Sequence, residues 1–528
     1  MIQDDARQHV FWMLRFLDSN LFPQDIIADY FQSVAPWGYK NFYRCFAWLG
    51  INPIFFSKIL PTYLGLITTI YTFYLTLEII PVAAVGFVST LLLNQYLWLR
   101  DDLVSATPVA FVYPLLTAAI YYLLKGNLIG CLLATAGLGL FYPQAALIMG
   151  GVFILGLIFK KRASKLTTYP RNLINLVGLG VVTLVAVLYG SQTSDYAPII
   201  SASEAKTMAE FLNKGKSEFF VPYWGEFWFT GQRTGLMPRF KTILPLIASL
   251  FLPLLYLAPL QFPLLRKIQN KGRILIDITA ASLGMFALSH VLLFKLHLPS
   301  RYTEHTLRIV TAIAGGIAIV AVIDGLLAKV TGRGIGSHLA FLLASSLFSL
   351  VLINPALMSQ FPDTDYIVGN YPNLYKFFQQ QPVDTLIASV TEETNNLPAF
   401  TKRSILVGNE GYSVPYHQGY YREIKQRSVD LIQAQYSADL KVVQQFIAKY
   451  GVDFWLLQRE IFQPVYLANN RWFMQYQPYT NQAIAQLQAK QEPALRKIQK
   501  TCTVWQEEPF WVLDAECISN LDSSTFPH

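Results

Sequence analysis

The chain opens MIQDDARQHVFWMLRFLDSN, and within nine residues it sets two adjacent carboxylates, Asp4 and Asp5, beside Arg7 and His9. Such a set can supply a general base together with the groups that hold it ionised. The same residues also describe a helix start with an acidic first turn. A second acidic pair, Asp101 and Asp102, stands in LWLRDDLVSATP, where an ordinary charged loop is the plain alternative. The segment HLPSRYTEHTLR carries Arg301, His305 and Arg308. A guanidinium there could grip a phosphate bidentately, or anchor to a lipid headgroup. Finally, EFFVPYWGEFWFTGQR is rich enough in aromatic rings to stack on a sugar or to lie at a membrane interface.

The elements that must position these groups follow from composition. Of 528 residues, 53% are hydrophobic and only 14% charged. Soluble domains carry roughly 25% charge, so water cannot coat this chain on all sides. The apolar residues are gathered in runs of the length a bilayer demands of a helix. Run length predicts ten spans, at 58–77, 81–98, 105–124, 127–142, 143–159, 172–190, 241–262, 274–294, 308–327 and 338–355. The densest basic tracts are KKRASK (160–165), RKIQNKGR (266–273) and KVTGR (329–333). In an alternating scheme all three fall on one side, which the positive-inside rule makes cytoplasmic. The formal charge of +8 therefore points to cytoplasmic loops and not to nucleic acid.

This arrangement puts all four polar segments on the outer face. It expects three regions: a first extracytoplasmic loop with interfacial helices at 1–57, a helical membrane domain at 58–355, and an extracytoplasmic α/β domain at 356–528. VFWMLRFL, interrupted by charge, reads as an interfacial amphipathic helix. No cleavable signal sequence is visible, and an even span count with both ends outside implies a first span upstream of Met1. The predicted spans hold few ionisable residues: Glu78, Asp277 and Asp324 lie near cytoplasmic ends and His290 near an outer end. A coupled transporter would set carboxylates at mid-membrane.

Beyond residue 361 the β-branched runs 385–390, 404–409 and 452–457, with an amphipathic stretch at 421–450, predict a small α/β domain. TCTVWQEEPFWVLDAEC reads as a hairpin turning at residues 507–509, with Cys502 and Cys517 at its open ends. In an oxidising compartment these two could bridge; two buried thiols are the alternative. Cys45 and Cys131 read as unpaired, and no Cys/His spacing resembles a zinc site.

With these residues in view, the layout resembles the glycosyltransferase-C (GT-C) superfamily, which includes protein O-mannosyltransferases and lipid A aminoarabinose transferases. Asp4-Asp5-Ala6-Arg7 is similar to the acidic motif opening that family's first outer loop, with Asp for the usual Glu. Asp101-Asp102 matches a second acidic site in the next outer loop. SRYTEHTLR resembles a late Arg-Tyr segment, and RSILVGNEGYSVPYHQGYYREIKQ with KYGVDFWLL resembles the outer domain. The resemblance implies a multi-pass protein of a bacterial cytoplasmic membrane. It would move a sugar from a polyprenyl-phosphate donor to a glycan, lipid or protein hydroxyl outside. Asp4 and Asp5 would be catalytic, Asp101 and Asp102 a second acidic site, and Arg7, Arg301, His305 and Arg308 would face the donor phosphate. No cofactor is implied, and a divalent cation is not required. A transporter or flippase of lipid-linked glycans, or a non-catalytic scaffold, are the rival readings.

Overall fold

The computed structural model of the chain describes residues 1–98, 101–159, 171–191, 194–238, 243–330, 334–358 and 360–522, apart from the side chains of Asp101 and Glu410. The basic run 160–165 and most of 329–333 lie outside the described residues.

The chain begins as a two-residue strand, β1 (Ile2–Gln3), followed by helix α1 (Asp4–His9). Gln3 caps α1 by accepting from the Ala6 N–H at 3.0 Å. The expected interfacial helix VFWMLRFL is instead a 3-10 turn, Phe11–Phe16, with Phe11, Trp12, Met13 and Leu14 all buried. Four successive apolar residues have no polar face at helical period, so the segment wedges inward. Arg15 closes the wedge, bonding the carbonyls of Leu21 and Phe22 and the Asp29 carboxylate. The helices α2 (Ile26–Val34) and α3 (Trp37–Trp48) follow. It is α3 that carries the interfacial character, with Trp37 58% and Trp48 87% exposed.

Ten apolar helices then coincide with the ten predicted runs. They are α4 (Pro53–Ile79), α5 (Ala83–Leu97), α7 (Val112–Lys125), α8 (Leu128–Phe141), α9 (Pro143–Ile158), α10 (Arg171–Ser191), α12 (Leu244–Tyr256), α13 (Ile274–Val291), α14 (Glu304–Leu327) and α15 (Ile335–Ile353). Short helices α6 (Asp101–Val104) and α11 (Ala202–Ala205) lie in connections. Taken with their flanking turns, six of the ten are long and apolar enough to cross a membrane; the other four are 10–17 residues long.

Local chemistry sets the boundaries. Asn52 caps α4 through its side-chain oxygen, with Pro53 in the first turn. Gly126, at φ 70°, ends α7 in the left-handed region, and Asn127 starts α8. Between α8 and α9 the break is Pro143, which has no N–H to give and pushes Tyr142 to an extended φ of −150°.

At the end of the domain away from residue 1, Glu78 takes Lys125 at 2.7 Å and Lys271 at 2.5 Å, tying α4 and α7 to the basic segment before α13. Helix α14 runs through the interior against α5 and α12. Gly316 makes that approach possible, since a Cβ there would stand 2.7 Å from the Ser89 main-chain nitrogen.

The C-terminal domain is introduced by β2 (Tyr366–Ile367), which pairs antiparallel with β1. It then runs α16 (Pro372–Gln379), β3 (Leu386–Ala388), α17 (Leu397–Thr401), β4 (Ser404–Ile405), α18 (Gln418–Tyr436), α19 (Leu440–Tyr450), β5 (Phe454–Gln458), β6 (Thr503–Glu507) and β7 (Phe510–Asp514). The sheet order is β4-β3-β5-β7-β6, with β4, β3 and β5 parallel and β7 antiparallel to both neighbours. The stretch expected as one amphipathic unit at 421–450 is two helices. Asp439 caps α19 by accepting from Lys441 at 2.9 Å, which ends α18 one turn earlier. Trp455, Leu456 and Leu457 of β5 are fully buried. Cys502 and Cys517 are joined in a disulfide with Cα atoms 5.6 Å apart, while Cys45 is exposed and Cys131 buried.

Candidate active site

Asp4 occupies the first turn of α1, where its main-chain N–H bonds Asp365 O at 3.0 Å. Its Oδ1 accepts from Arg7 Nη2 at 2.5 Å and from Gln8 Nε2 at 3.3 Å. The Asp4 side chain stays about a third exposed (32%), while Arg7 is 5% exposed. Arg7 gives its other end, Nη1, to Asn396 Oδ1 at 2.6 Å. Asp5 lies near Tyr39, whose phenol is pushed up first by burial, then by Tyr43, and last by that carboxylate's charge. His9 packs edge-on to Phe31, and burial lowers it to about 4, so it is neutral at pH 7.

The second acidic segment stands at the same end of the helical domain. Asp363, just ahead of the Asp4-binding Asp365, donates its N–H to Trp98 O at the end of α5. The Asp101 side chain lies outside the described residues. Asp102 is 5% exposed and its Oδ2 accepts from Arg308 Nη1 and from Tyr113 OH at 3.2 Å. Arg308 reaches Glu304 Oε1 at 2.7 Å with Nη2 and Tyr113 OH at 2.7 Å with Nη1. His305 Nδ1 stands 3.1 Å from Tyr113 OH and 3.6 Å from Asp102 Oδ2. Asp102, Tyr113, Glu304, His305 and Arg308 therefore form one buried network joining α6, α7 and α14. Its two carboxylates share the Arg308 guanidinium, and Arg301 brings the second cation to Glu304, so the buried charges are balanced. Glu304 and Tyr113, both essential to it, were absent from the sequence-derived set, although Glu304 sits in the same SRYTEHTLR string.

Arg301 meets this network at its edge. It reaches Glu304 Oε2 at 3.2 Å and its side chain is about a third exposed (32%). The aromatic loop folds back over it: Ser300 Oγ donates to Gln232 O at 2.9 Å and Ser300 N–H to Arg233 O at 3.2 Å. This brings Arg233 to Tyr416, with Nε 3.1 Å from the phenol oxygen. His297 stands over the same ring, centroids 6.0 Å apart, and is lowered to about 3 by burial and then by Arg301, Arg233 and His417. His417 bonds Tyr30 OH at 3.0 Å through Nδ1. Arg233 and Arg301, with the neutral imidazoles of His297 and His417 beside them, thus make a patch of positive potential between the loops and the C-terminal domain. The signal for it was present in the sequence, since Arg233 ends the aromatic segment and His297 precedes Arg301 by four positions. Only the return of the loop joins them. In that loop Phe219 is buried against Phe294, whereas Tyr223 and Trp224 are 69% and 70% exposed.

Beside α3, between α4, α7 and α8, opens an apolar cavity of about 910 Å³. Phe42, Phe56, Tyr63, Tyr71, Tyr122 and Phe141 are among its walls. Its scarcity of polar groups suits a hydrocarbon chain and not bond-making chemistry. Among the described residues no three His, Cys, Asp or Glu side chains converge as a metal site.

No family model and no curated protein sequence matches the chain. Solved structures do. The Archaeoglobus fulgidus oligosaccharyltransferase tethered with an acceptor peptide containing the NVT sequon superposes with TM-score 0.50 at 12% identity, over 91% of this chain and 68% of that one. AglB of the same organism, in complex with an inhibitory peptide and a dolichol-phosphate, gives TM-score 0.50 at 11% identity over the same shares. ArnT from Cupriavidus metallidurans, bound to undecaprenyl phosphate, gives 0.44 at 11% identity, over 97% of this chain and 93% of that one. The chain is a multi-pass membrane protein with a C-terminal sheet-containing domain. Its fold is that of the Archaeoglobus fulgidus oligosaccharyltransferase.

Proposed function

We propose that this protein transfers a glycosyl group from a polyprenyl-phosphate donor to an acceptor hydroxyl on the extracytoplasmic face of a bacterial cytoplasmic membrane. In this reading all ten apolar helices span, and residues 1–57, 58–355 and 356–528 serve as outer loop, membrane domain and outer α/β domain. The observation that carries the reading is Asp4. It is a partly exposed carboxylate whose Oδ1 is held by Arg7 and Gln8 while Oδ2 takes no bond among the described residues. It stands on a fold shared with an oligosaccharyltransferase.

Asp4 Oδ2 takes the proton of the acceptor hydroxyl as that oxygen attacks the anomeric carbon. The bond from that carbon to the phosphate oxygen breaks, and negative charge gathers on the departing lipid phosphate. Arg301, with Arg233 beside it, is the pair of cations suited to meet that charge, and the neutral His297 can add a hydrogen bond. Arg7, Arg308 and His305 have a different part: their polar contacts are to Asp4, Asn396, Asp102, Glu304 and Tyr113, and they brace the site from within. Asp5, on the same helix as Asp4, is the carboxylate suited to orient the acceptor, while Asp102 is committed to Arg308 and Tyr113. The apolar cavity beside α3 is of a size and character to take part of the donor's lipid tail.

The test is transfer of sugar from polyprenyl-phosphate donors in membranes containing the wild-type chain or Asp4→Asn. Asn is nearly isosteric and keeps an oxygen to accept from Arg7 and Gln8, and Gln3 still caps the helix. Loss of the base should lower turnover by about 10²–10⁴-fold with folding intact. Wild-type turnover by Asp4→Asn removes Asp4 as the base. A wild-type chain inactive with every donor passes the reading to a transporter of lipid-linked glycans or a scaffold.

A further inference from the structure

The helix that carries Asp4 is fastened to the C-terminal domain and not to the membrane helices alone. β1 pairs with β2, the Asp4 N–H bonds Asp365 O, and Phe11 meets Tyr412 edge-to-face at 5.9 Å. Tyr412 OH donates to Arg7 O at 3.4 Å and to Asn395 O at 3.2 Å. The residues that receive α1 come from the loops following β3 and β4, at the carboxyl edge of the parallel strands. In open α/β sheets that edge presents the binding loops. Here it holds a piece of the chain's own N-terminus.

The strongest of these contacts runs through one side chain. Arg7 bridges Asp4 Oδ1 and Asn396 Oδ1. Asn396, 7% exposed, has its amide nitrogen on Glu393 Oε1 at 2.9 Å, and the same oxygen accepts from Tyr375 OH. The order Tyr375, Glu393, Asn396, Arg7, Asp4 leaves neither the amide nor the guanidinium free to turn. The bonds to Arg7 are charge-assisted, which makes them the stiff links of the series.

We infer that Asn396, seated by Glu393 and Tyr375, is a positioning residue that acts through Arg7 to set where the Asp4 carboxylate stands. The C-terminal domain is then a part of the catalytic apparatus without touching substrate. This inference rests on the reading of Asp4 as the base. It also makes a mechanical claim, that removing Asn396 loosens α1, which can be read without any activity.

The experiment uses the full chain in detergent and in membranes. Hydrogen exchange of residues 4–16 is compared between wild type and Asn396→Ala, with α18 and α19 as the reference for an intact C-terminal domain. Amides of α1 should exchange about tenfold faster or more, with the reference helices unchanged. Turnover number should fall about 10- to 100-fold, with KM for donor and acceptor held within about twofold, because misplacement of a base affects the step and not binding. Glu393→Gln keeps the acceptor oxygen and should behave as wild type, whereas Glu393→Ala should follow Asn396→Ala. Unchanged exchange in α1 overturns the inference, and so does a loosened α1 with undiminished turnover. Equal loss from Glu393→Gln and Glu393→Ala also overturns it. If wild type itself transfers nothing, the catalytic reading fails, and the exchange comparison alone decides whether the C-terminal domain holds α1.

Discussion

Arg308 donates to Asp102, a residue 206 positions earlier in the chain, and both side chains are buried at the N-terminal end of α14. The pair is the hub at which α6, α7 and α14 meet. It identifies two of the charges most easily mistaken for ligand-binding groups as mutual partners.

Breaking that pair from one side should therefore cost stability before it costs binding. Arg308→Ala leaves Asp102 and Glu304 buried with an unmatched charge, a loss of about 3–5 kcal/mol. Thermal unfolding in detergent should show a large drop for Arg308→Ala and a smaller one for Asp102→Asn. Normal stability with lost transfer would make Arg308 a substrate-facing group instead.

Arg301 and Arg233 should respond in the opposite sense. Both are partly exposed, and their removal leaves the Arg308 bonds to Asp102, Glu304 and Tyr113 in place. Arg301→Ala and Arg233→Ala should each lower kcat/KM for a lipid-phosphate donor by about 10-fold or more, in line with a lost charge-assisted bond. Arg301→Lys keeps the charge but not the fork, so it should fall between wild type and Ala. Melting temperatures close to wild type are part of the expectation.

Acid should destabilise the protein through its buried histidines. Burial lowers His9 to about 4 and His297 to about 3, from an ordinary value of 6.5, and lowers His417 as well. A depressed folded value means the folded state binds fewer protons than the unfolded chain. The stability these groups support is full above pH 6.5 and is lost as pH falls toward 4 and then 3. Unfolding curves at pH 7.5 and pH 4.5 should separate, and His297→Gln should narrow the separation.

Removing the bridge between Cys502 and Cys517, which spans 15 residues, should lower the stability of the C-terminal hairpin by about 3 kcal/mol. Limited proteolysis of the double Cys→Ser variant should cut within residues 502–517 under conditions that leave wild type whole. In the native protein a thiol reagent should label Cys45, which is exposed, and spare Cys131.

Much of the architecture was readable from run length. The apolar stretch 127–142 ends where α8 ends, and Pro143 marks the start of α9, because an apolar run and a missing N–H act within a few residues. The α/β order of the C-terminal domain was readable for the same reason. The interfacial helix was misplaced onto VFWMLRFL because composition alone does not say whether an apolar segment meets lipid or protein. Here the neighbours Phe22, Phe31 and Tyr412 surround it.

By itself, the sequence determined that this is a membrane chain, where its helices run, and which residues could do chemistry. The tertiary structure decided what each charge faces. Arg7 turns to Asn396, 389 positions away, and Arg308 to Asp102, while Arg233 folds back beside Arg301. Helical periodicity states which residues share a face, but not which distant face that one meets. That choice is made by packing: it sets a buried charge against a partner, as Arg308 against Asp102, and it operates only once the helices are together.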